Sequence, residues 1–178
     1  MSGMETKHNM KLSFINWIRR IFASLFFIGY FPFGSGTIAS ALVVVALWFT
    51  RDTTAVFFGG PHGYVYYWIA MLVLIAISCF LSSKSREAFG TEDAPQVVID
   101  EIAGQFIVFF LVPLTLKTLI LGFLLFRFFD IVKPFPVYVM EDMEEGVGVT
   151  MDDVAAGVLA NVSLLIILAL YHAVRAYL

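Results

Sequence analysis

Cysteine is almost missing from this chain. A single cysteine, Cys79, in 178 residues excludes an intrachain disulfide framework and a thiolate zinc site. It lies within an apolar run, where packing is its default role. Histidine is as sparse: His8, His62 and His172 are scattered and form no cluster of metal ligands. Charge is thin as well, with 14% Asp, Glu, Lys and Arg against about 25% in an ordinary soluble domain. The 11 basic residues do not exceed the 14 acidic ones, and the net charge of −3 offers nothing to neutralise a nucleic-acid backbone. Neither a nucleophile-elbow G-x-S-x-G nor a phosphate-binding Walker pattern occurs, and no internal repeat or low-complexity linker is visible. What remains is apolar: 60% hydrophobic residues, 19 Phe and a mean hydropathy of +0.89. Charge-free stretches of this extent leave too little sequence for a separate soluble core, so the chain reads as a small polytopic membrane protein.

A crossing helix needs roughly 20 mostly apolar residues. Residues 21–50 carry no formal charge but are interrupted by Pro32, Gly34 and Gly36. This predicts an interfacial or re-entrant helix over 21–31 and a short first span over 37–49. Residues 63–83 are the cleanest span, with Tyr64, Tyr66, Tyr67 and Trp68 as an aromatic anchor at one end. Residues 102–126 are too long for one straight helix and hold Pro113 and Lys117 at their middle, so a helical hairpin turning near 113–117 is expected. A last span covers 154–174. The expected fold is therefore all-α: a polytopic integral membrane helical bundle with about five spans plus the N-terminal interfacial or re-entrant helix. Residues 1–20 form a cytoplasmic N-terminal segment in this reading, and 21–178 a single transmembrane domain. Lys11, Arg19 and Arg20 followed by 21–31 and Ala39-Ser40-Ala41 imitate a cleavable signal peptide, but the apolar run continues to Phe49, and cleavage is not expected.

Basic residues set the orientation. With the N-terminus inside, the inner loops and helix ends hold Lys7, Lys11, Arg19, Arg20, Lys84, Arg86, Arg127 and Lys133, and the outer side only Arg51, Lys117 and Arg175. Asp100 and Glu101 then open the third span, Asp130 lies near the inner end of the fourth, Asp152 and Asp153 open the fifth, and the Pro32–Thr37 break lies at the inner end of the first. All four positions meet at one face, the cytoplasmic one. Five carboxylates beside apolar runs call for cationic partners, and oxygen-only ligands favour magnesium, calcium or manganese over zinc.

Each motif has two readings. The acidic pair in Val98-Ile99-Asp100-Glu101-Ile102-Ala103-Gly104 suits a metal, and equally suits the positive end of a helix dipole. Asp152 is equally suited to cap the final helix, and because adjacent helical residues diverge by about 100°, Asp152 and Asp153 share one ion only if the helix begins between them. Arg127, Asp130 and Lys133 recur at a spacing of three, along one stripe that Pro134 ends. Arg127 either pairs with Asp130 or forks onto a phosphate, with Lys133 as a point charge and Asp130 facing metal or water. Phe33-Gly34-Ser35-Gly36-Thr37 is either a backbone anion cradle or a plain helix break. Residues 141–146 read as a solvated acidic stretch.

Taken in order, Gly36-Thr37 with Ser40, Asp100-Glu101 with Gly104, Arg127…Asp130…Lys133-Pro134…Pro136, and Asp152-Asp153 with Ala156-Gly157 resemble the phosphatidylglycerophosphatase A family over most of the chain, from Pro32 to Gly157. One departure is Ser35, where the family tends to have proline. The resemblance implies a Mg2+-dependent phosphatase of the bacterial inner membrane, multi-pass with a cytoplasmic N-terminus. It would remove the terminal phosphate of phosphatidylglycerophosphate in the bilayer. On that reading Asp100, Glu101, Asp152 and Asp153 are the metal ligands, and Arg127, Lys133, Gly36 and Thr37 hold the substrate phosphate. Asp130 and Asp153 are the catalytic candidates, with Asp130 positioning or deprotonating water; an aspartyl-phosphate route stays open. The alternatives are an ion- or proton-coupled transporter using the same acids, a phosphatidyltransferase, whose denser Asp-x-x-Asp-Gly signature is missing, and a structural membrane subunit.

Overall fold

The computed structural model describes residues 14–83, 85–91, 94–143 and 147–177, and the side chains of Val56, Phe57 and Arg86 are not among the described groups. Lys7, Lys11 and Lys84 of the expected inner basic set, and Glu144, Glu145 and Gly146 of the acidic stretch, lie outside the described residues. The described chain is helical throughout and holds no strand. Helix α1 covers residues 14–23. After a 3-10 turn at Ile28–Tyr30 come α2 (Ser35–Phe58), α3 (Gly63–Ser82), α4 (Ser85–Phe89), α5 (Ile99–Ile107), α6 (Leu116–Val132), α7 (Val137–Glu141) and α8 (Val147–Tyr177). Helices α2, α3 and α8 are long and apolar enough to cross a bilayer.

Several boundaries differ from expectation, each for a local reason. The helix predicted over 21–31 instead ends at Ala23 and gives way to a turn in which Leu25, Phe26 and Phe27 all have positive φ. Helix α1 also runs through position 20 without a break and docks on α4, where Asn16 Nδ2 and Arg20 Nε donate to the carbonyls of Glu87 and Ala88. The first span does not stop at Phe49. Polar residues beyond it are satisfied within the helix: Thr50 and Thr54 donate back to Ala46 O and Thr50 O at 2.7 Å, and Arg51 lies over the Trp48 ring at 4.1 Å. Helix α2 therefore continues to Phe58, ahead of Gly59 and Gly60. The last helix starts at Val147, so Asp152 and Asp153 sit inside its second turn and neither caps it.

The expected hairpin is present, but its first leg is short. Helix α5 has nine residues, about 14 Å, less than half a hydrocarbon core. Its direction follows from its contacts with α6: Glu101 lies by Arg127, Gly104 against the Phe126 ring, and Val108 and Phe109 against Gly122. The two legs are antiparallel, and α6 begins with a reciprocal Thr115–Thr118 capping box. Helices α5 and α8 run side by side in the same direction, since Gly104 touches Asp153 and Gly157 while Asn161 reaches Val108. Helix α3 runs the other way, with Ser78 on Thr150 at one end and Tyr67 on Phe106 at the other. One end of the bundle thus collects the starts of α2, α5 and α8 and the ends of α3 and α6. The core beneath it is built on Phe126, Leu119, Leu164, Val108 and Val137.

A helix broken inside an apolar bundle leaves carbonyls that water cannot reach. Here Asn161 supplies the missing donors: its Nδ2 donates to Val108 O and Phe110 O, both at 2.8 Å, while the Tyr67 hydroxyl donates to Phe106 O. Asn161→Leu should therefore lower the unfolding free energy in detergent by about 1–3 kcal/mol for each carbonyl left unpaired. The neighbouring Val162→Leu, at a half-exposed position, should be neutral. Thermal unfolding of both variants checks this.

Candidate active site

The gathered helix ends enclose a cavity of about 400 Å³. Its walls carry Asp100 and Glu101 from α5, Arg127 and Asp130 from α6, Lys133 just past α6, Glu141 from α7, Asp152 and Asp153 from α8, and Gly34, Ser35 and Gly36 at the start of α2. The expected site residues are brought together with one exception. Thr37, expected on the phosphate, does not line the cavity: α2 begins at Ser35, so Thr37 is already one helical step round from Gly36 and is exposed.

Glycine spacing explains how the acids converge. Gly104 follows Asp100 by four residues and Gly157 follows Asp153 by four, so each glycine lies one turn beyond an acid on the same helix face. A Cβ on Gly157 would come 2.4 Å from Gly104 O, and one on Gly104 would come 2.6 Å from Asp153 O. The two backbones touch, and the acids above them are forced into one space. Gly36 does the same for α2, since a Cβ there would meet Glu101 Oε1 at 1.6 Å. Ser40 supports that turn by donating its hydroxyl to Gly36 O at 2.9 Å.

The charges are arranged in two groups. Arg127 NH1 lies 2.6 Å from Asp130 Oδ2 and 3.8 Å from Glu101 Oε1. Lys133 Nζ donates to Glu141 Oε1 at 2.6 Å and to Asp152 Oδ2 at 3.0 Å. Burial opposes the charged ammonium of Lys133, but these two carboxylate bonds outweigh it and raise its pKa above the ordinary lysine value. The pair of Arg127 with Asp130 is therefore present, and it lies in the cavity wall. Asp100 Oδ1 accepts from Glu101 N and Asp152 Oδ1 from Asp153 N, so the first acid of each pair is fixed by the backbone of the second. Asp152 and Asp153 reach one cavity although the helix does not begin between them, because Asp152 leans to Lys133 and Asp153 faces the α5 seam.

Glu141 is a correction to the sequence reading. It is not merely solvated, because the Lys133-Pro134 turn and α7 fold it back onto Lys133. Its signal in the sequence was the pair of prolines that reverses the chain. Gln105, wholly buried in α5 one turn beyond Glu101, has no partner for either amide atom among the described residues and does not line the cavity.

Six carboxyl groups face two basic side chains in this cavity. A phosphate could enter only with further positive charge, and a hard, oxygen-seeking cation fits an all-oxygen donor set. Glu101 Oε2 and Asp153 Oδ1 are buried without partners, as open donor atoms would be. Among the described residues, no group of three or more His, Cys, Asp or Glu side chains is arranged to hold a metal ion as it stands.

A family model described as phosphatidylglycerophosphatase A matches residues 21–168. The chain is 36% identical over 136 residues to a Bacteroides thetaiotaomicron protein named "Putative phosphatidylinositol-3-phosphatase", covering 73% of this chain and 80% of that one. It is 42% identical over 86 residues to phosphatidylglycerophosphatase A of Haemophilus influenzae, covering 47% and 53% of the two chains. With phosphatidylglycerophosphatase A of Escherichia coli it shares 28% over 96 residues, covering 53% and 56%. The alignments thus span just over half the length of these last two relatives. No solved structure matches.

The glycine contacts make a paired prediction. In Gly157→Ala the new methyl meets a backbone carbonyl that cannot swing aside, so the melting temperature should fall by several degrees, as for a loss of about 1–3 kcal/mol from overpacking. In Gly36→Ala it meets the end of a flexible Glu101 side chain, so the melting temperature should hold while the carboxylate is displaced. Thermal unfolding of the two variants separates these outcomes.

Proposed function

The chain belongs to the phosphatidylglycerophosphatase A family of lipid phosphate hydrolases, and from that premise we propose that it removes the terminal phosphate of phosphatidylglycerophosphate, releasing phosphatidylglycerol and inorganic phosphate. The observation that carries the reading is the shared cavity at one end of apolar helices, where Arg127 and Lys133 stand among two acidic pairs. A lipid head group lies at the interface, and a site for it belongs at the ends of membrane-crossing helices. The family favours a bacterial inner membrane, and the basic residues favour this end as the cytoplasmic one: Arg19, Arg20, Arg127 and Lys133 lie toward it, and Arg51, Lys117 and Arg175 belong to the other end. Helices α2, α3 and α8 cross, and the α5–α6 hairpin supplies the remaining two legs of a bundle of about five.

Magnesium is the cation this reading calls for, and Asp100, Glu101, Asp152 and Asp153 would hold it. When bound, it would polarise a phosphoryl oxygen and acidify a bound water. The chain's own groups do the rest. Arg127, already oriented by Asp130 and Glu101, donates to the phosphate oxygens and offsets charge in a loose transition state. Lys133 has three donors and spends two on Glu141 and Asp152, leaving the third for phosphate. Asp130 accepts the proton of the attacking water, with Arg127 holding its carboxylate in place. Gly36 leaves room for Glu101 in the wall, where any side chain would displace it.

The test is phosphate release by purified protein in mixed micelles, with magnesium and then with chelator. Release should require the metal and should fall at least about 100-fold in Asp100→Asn and in Asp153→Asn, and Arg127→Lys should lower kcat by a factor on the order of 10²–10³. Metal-independent release, or full activity in Asp153→Asn, would overturn the site. Absence of release by folded protein together with ion flux in liposomes would favour the transporter. Phosphatidylinositol 3-phosphate belongs in the same assay, because of the name carried by the Bacteroides relative.

A further inference from the structure

A phospholipid keeps its acyl chains in the bilayer while its phosphate enters a polar site. Such a site must therefore open sideways, at head-group depth, onto apolar surface. One wall of the carboxylate cavity meets a surface of this kind. The segment between α1 and α2 wraps the loop 94–98, whose Ala94, Pro95 and Val97 line the cavity. Val98 N donates to Ala23 O at 2.9 Å, Gly29 packs so closely that a Cβ would lie 1.9 Å from Gln96 O, and Ser35 Oγ donates to Pro95 O at 3.3 Å. The same segment turns four phenylalanines outward: Phe26, Phe27, Phe31 and Phe33 are 66%, 53%, 55% and 81% exposed. Phe33 directly precedes Gly34, a residue of the cavity wall.

Other exposed apolar residues lie along α2, α3, α6 and α8, on α1 and α7, and at Leu111 and Phe135; this patch is set apart because it runs directly into the cavity wall at Gly34. It sits off the crossing helices and level with the cavity. The described turns of helix α1 beside it, residues 14–23, span about 15 Å and are tied to α4 through Arg20. The rings also support one another, with Phe22 edge-on to Phe26 at 5.6 Å and Phe27 beside Tyr30 at 5.8 Å. Leu25, Phe26 and Phe27 take φ of 48°, 52° and 71°, a region bulky side chains seldom occupy. A turn that is both strained and aromatic against water would be doubly unfavourable. Contact with hydrocarbon removes the second cost.

We propose that Phe26, Phe27, Phe31 and Phe33 form a ledge on which the acyl chains of the lipid substrate rest as its phosphate enters the cavity, so that these residues select for a bilayer-borne diacyl lipid. The ledge rests on the lipid phosphatase reading above, and its occupant is the hydrocarbon of the substrate itself.

The experiment compares two substrates on the full chain: long-chain phosphatidylglycerophosphate in phosphatidylcholine vesicles, and its dibutanoyl analogue dissolved as monomers. The variants are Phe33→Ser, the pair Phe26→Ser with Phe27→Ser, the pair Phe26→Leu with Phe27→Leu, and Phe49→Ser as an equally exposed position on α2. The ledge predicts that the serine variants raise KM for the vesicle substrate about tenfold, near the loss of one partly buried phenyl ring. Their kcat, and all parameters for the soluble analogue, should stay within about twofold on the same scale. The leucine pair and Phe49→Ser should match the unaltered chain on both substrates. Equal losses on the two substrates, or an unchanged vesicle KM in Phe33→Ser, would overturn the ledge. If the unaltered chain hydrolyses neither substrate, the phosphatase reading falls first, an outcome distinct from either of those.

Discussion

Two glycine backbones in contact govern the polar end of this molecule. Gly104 of α5 and Gly157 of α8 approach so closely that neither tolerates a Cβ, and this contact lies one turn below Asp100 and Asp153. In an apolar solvent there is no hydrophobic drive between helices, so close packing of small residues and buried hydrogen bonds must hold them. Here the glycines supply the packing and Asn161, one turn further along α8, supplies the bonds. One seam therefore fixes the short helix, braces its broken end and sets the distance between the acids.

The site built on that seam is out of charge balance. Six carboxyl groups and two basic residues share a cavity of about 400 Å³, and the basic ones are already committed to acidic partners. Like charges confined in a poorly solvated space repel, and the arrangement is stable only with protons or cations to spare. On the proposed reading the same imbalance would suit a phosphoryl hydrolase, because a cation that relieved it would also accept a phosphate. On the proposed reading, membrane placement, magnesium and a lipid phosphate substrate would be linked by electrostatics.

Observed helix ends depart from local sequence signals for one physical reason. Polar residues and glycines predict helix ends, yet α2 runs through Thr50, Arg51 and Thr54, and α8 starts ahead of its acidic pair. Short polar side chains bond back to their own helix and arginine lies along an aromatic ring, so neither need end a helix. The stretch 21–31 fails for the opposite reason. Its apolar residues are compatible with a helix, but the loop 94–98 anchors Ala23 and Gly29 on either side, and between them Ser24 Oγ accepts from Phe27 N where Leu25 to Phe27 turn.

Hydropathy and charge are sums over local sequence, and they were enough to establish a helical membrane protein, the approximate legs of its bundle and the gathering of its acidic motifs at one end. That last result needs only the order of the legs and their alternation. Rotation of each helix about its axis is not a local property. It decided that Gly36 faces the cavity and Thr37 does not, that Asp152 goes to Lys133 while Asp153 faces α5, and that Glu141 joins the site. It also decided that Asn161 meets the carbonyls of the break, a role no neighbouring residue announces. These outcomes belong to the tertiary structure because a helix turns its residues through about 100° at each step, and only contact with a second helix selects which face turns inward.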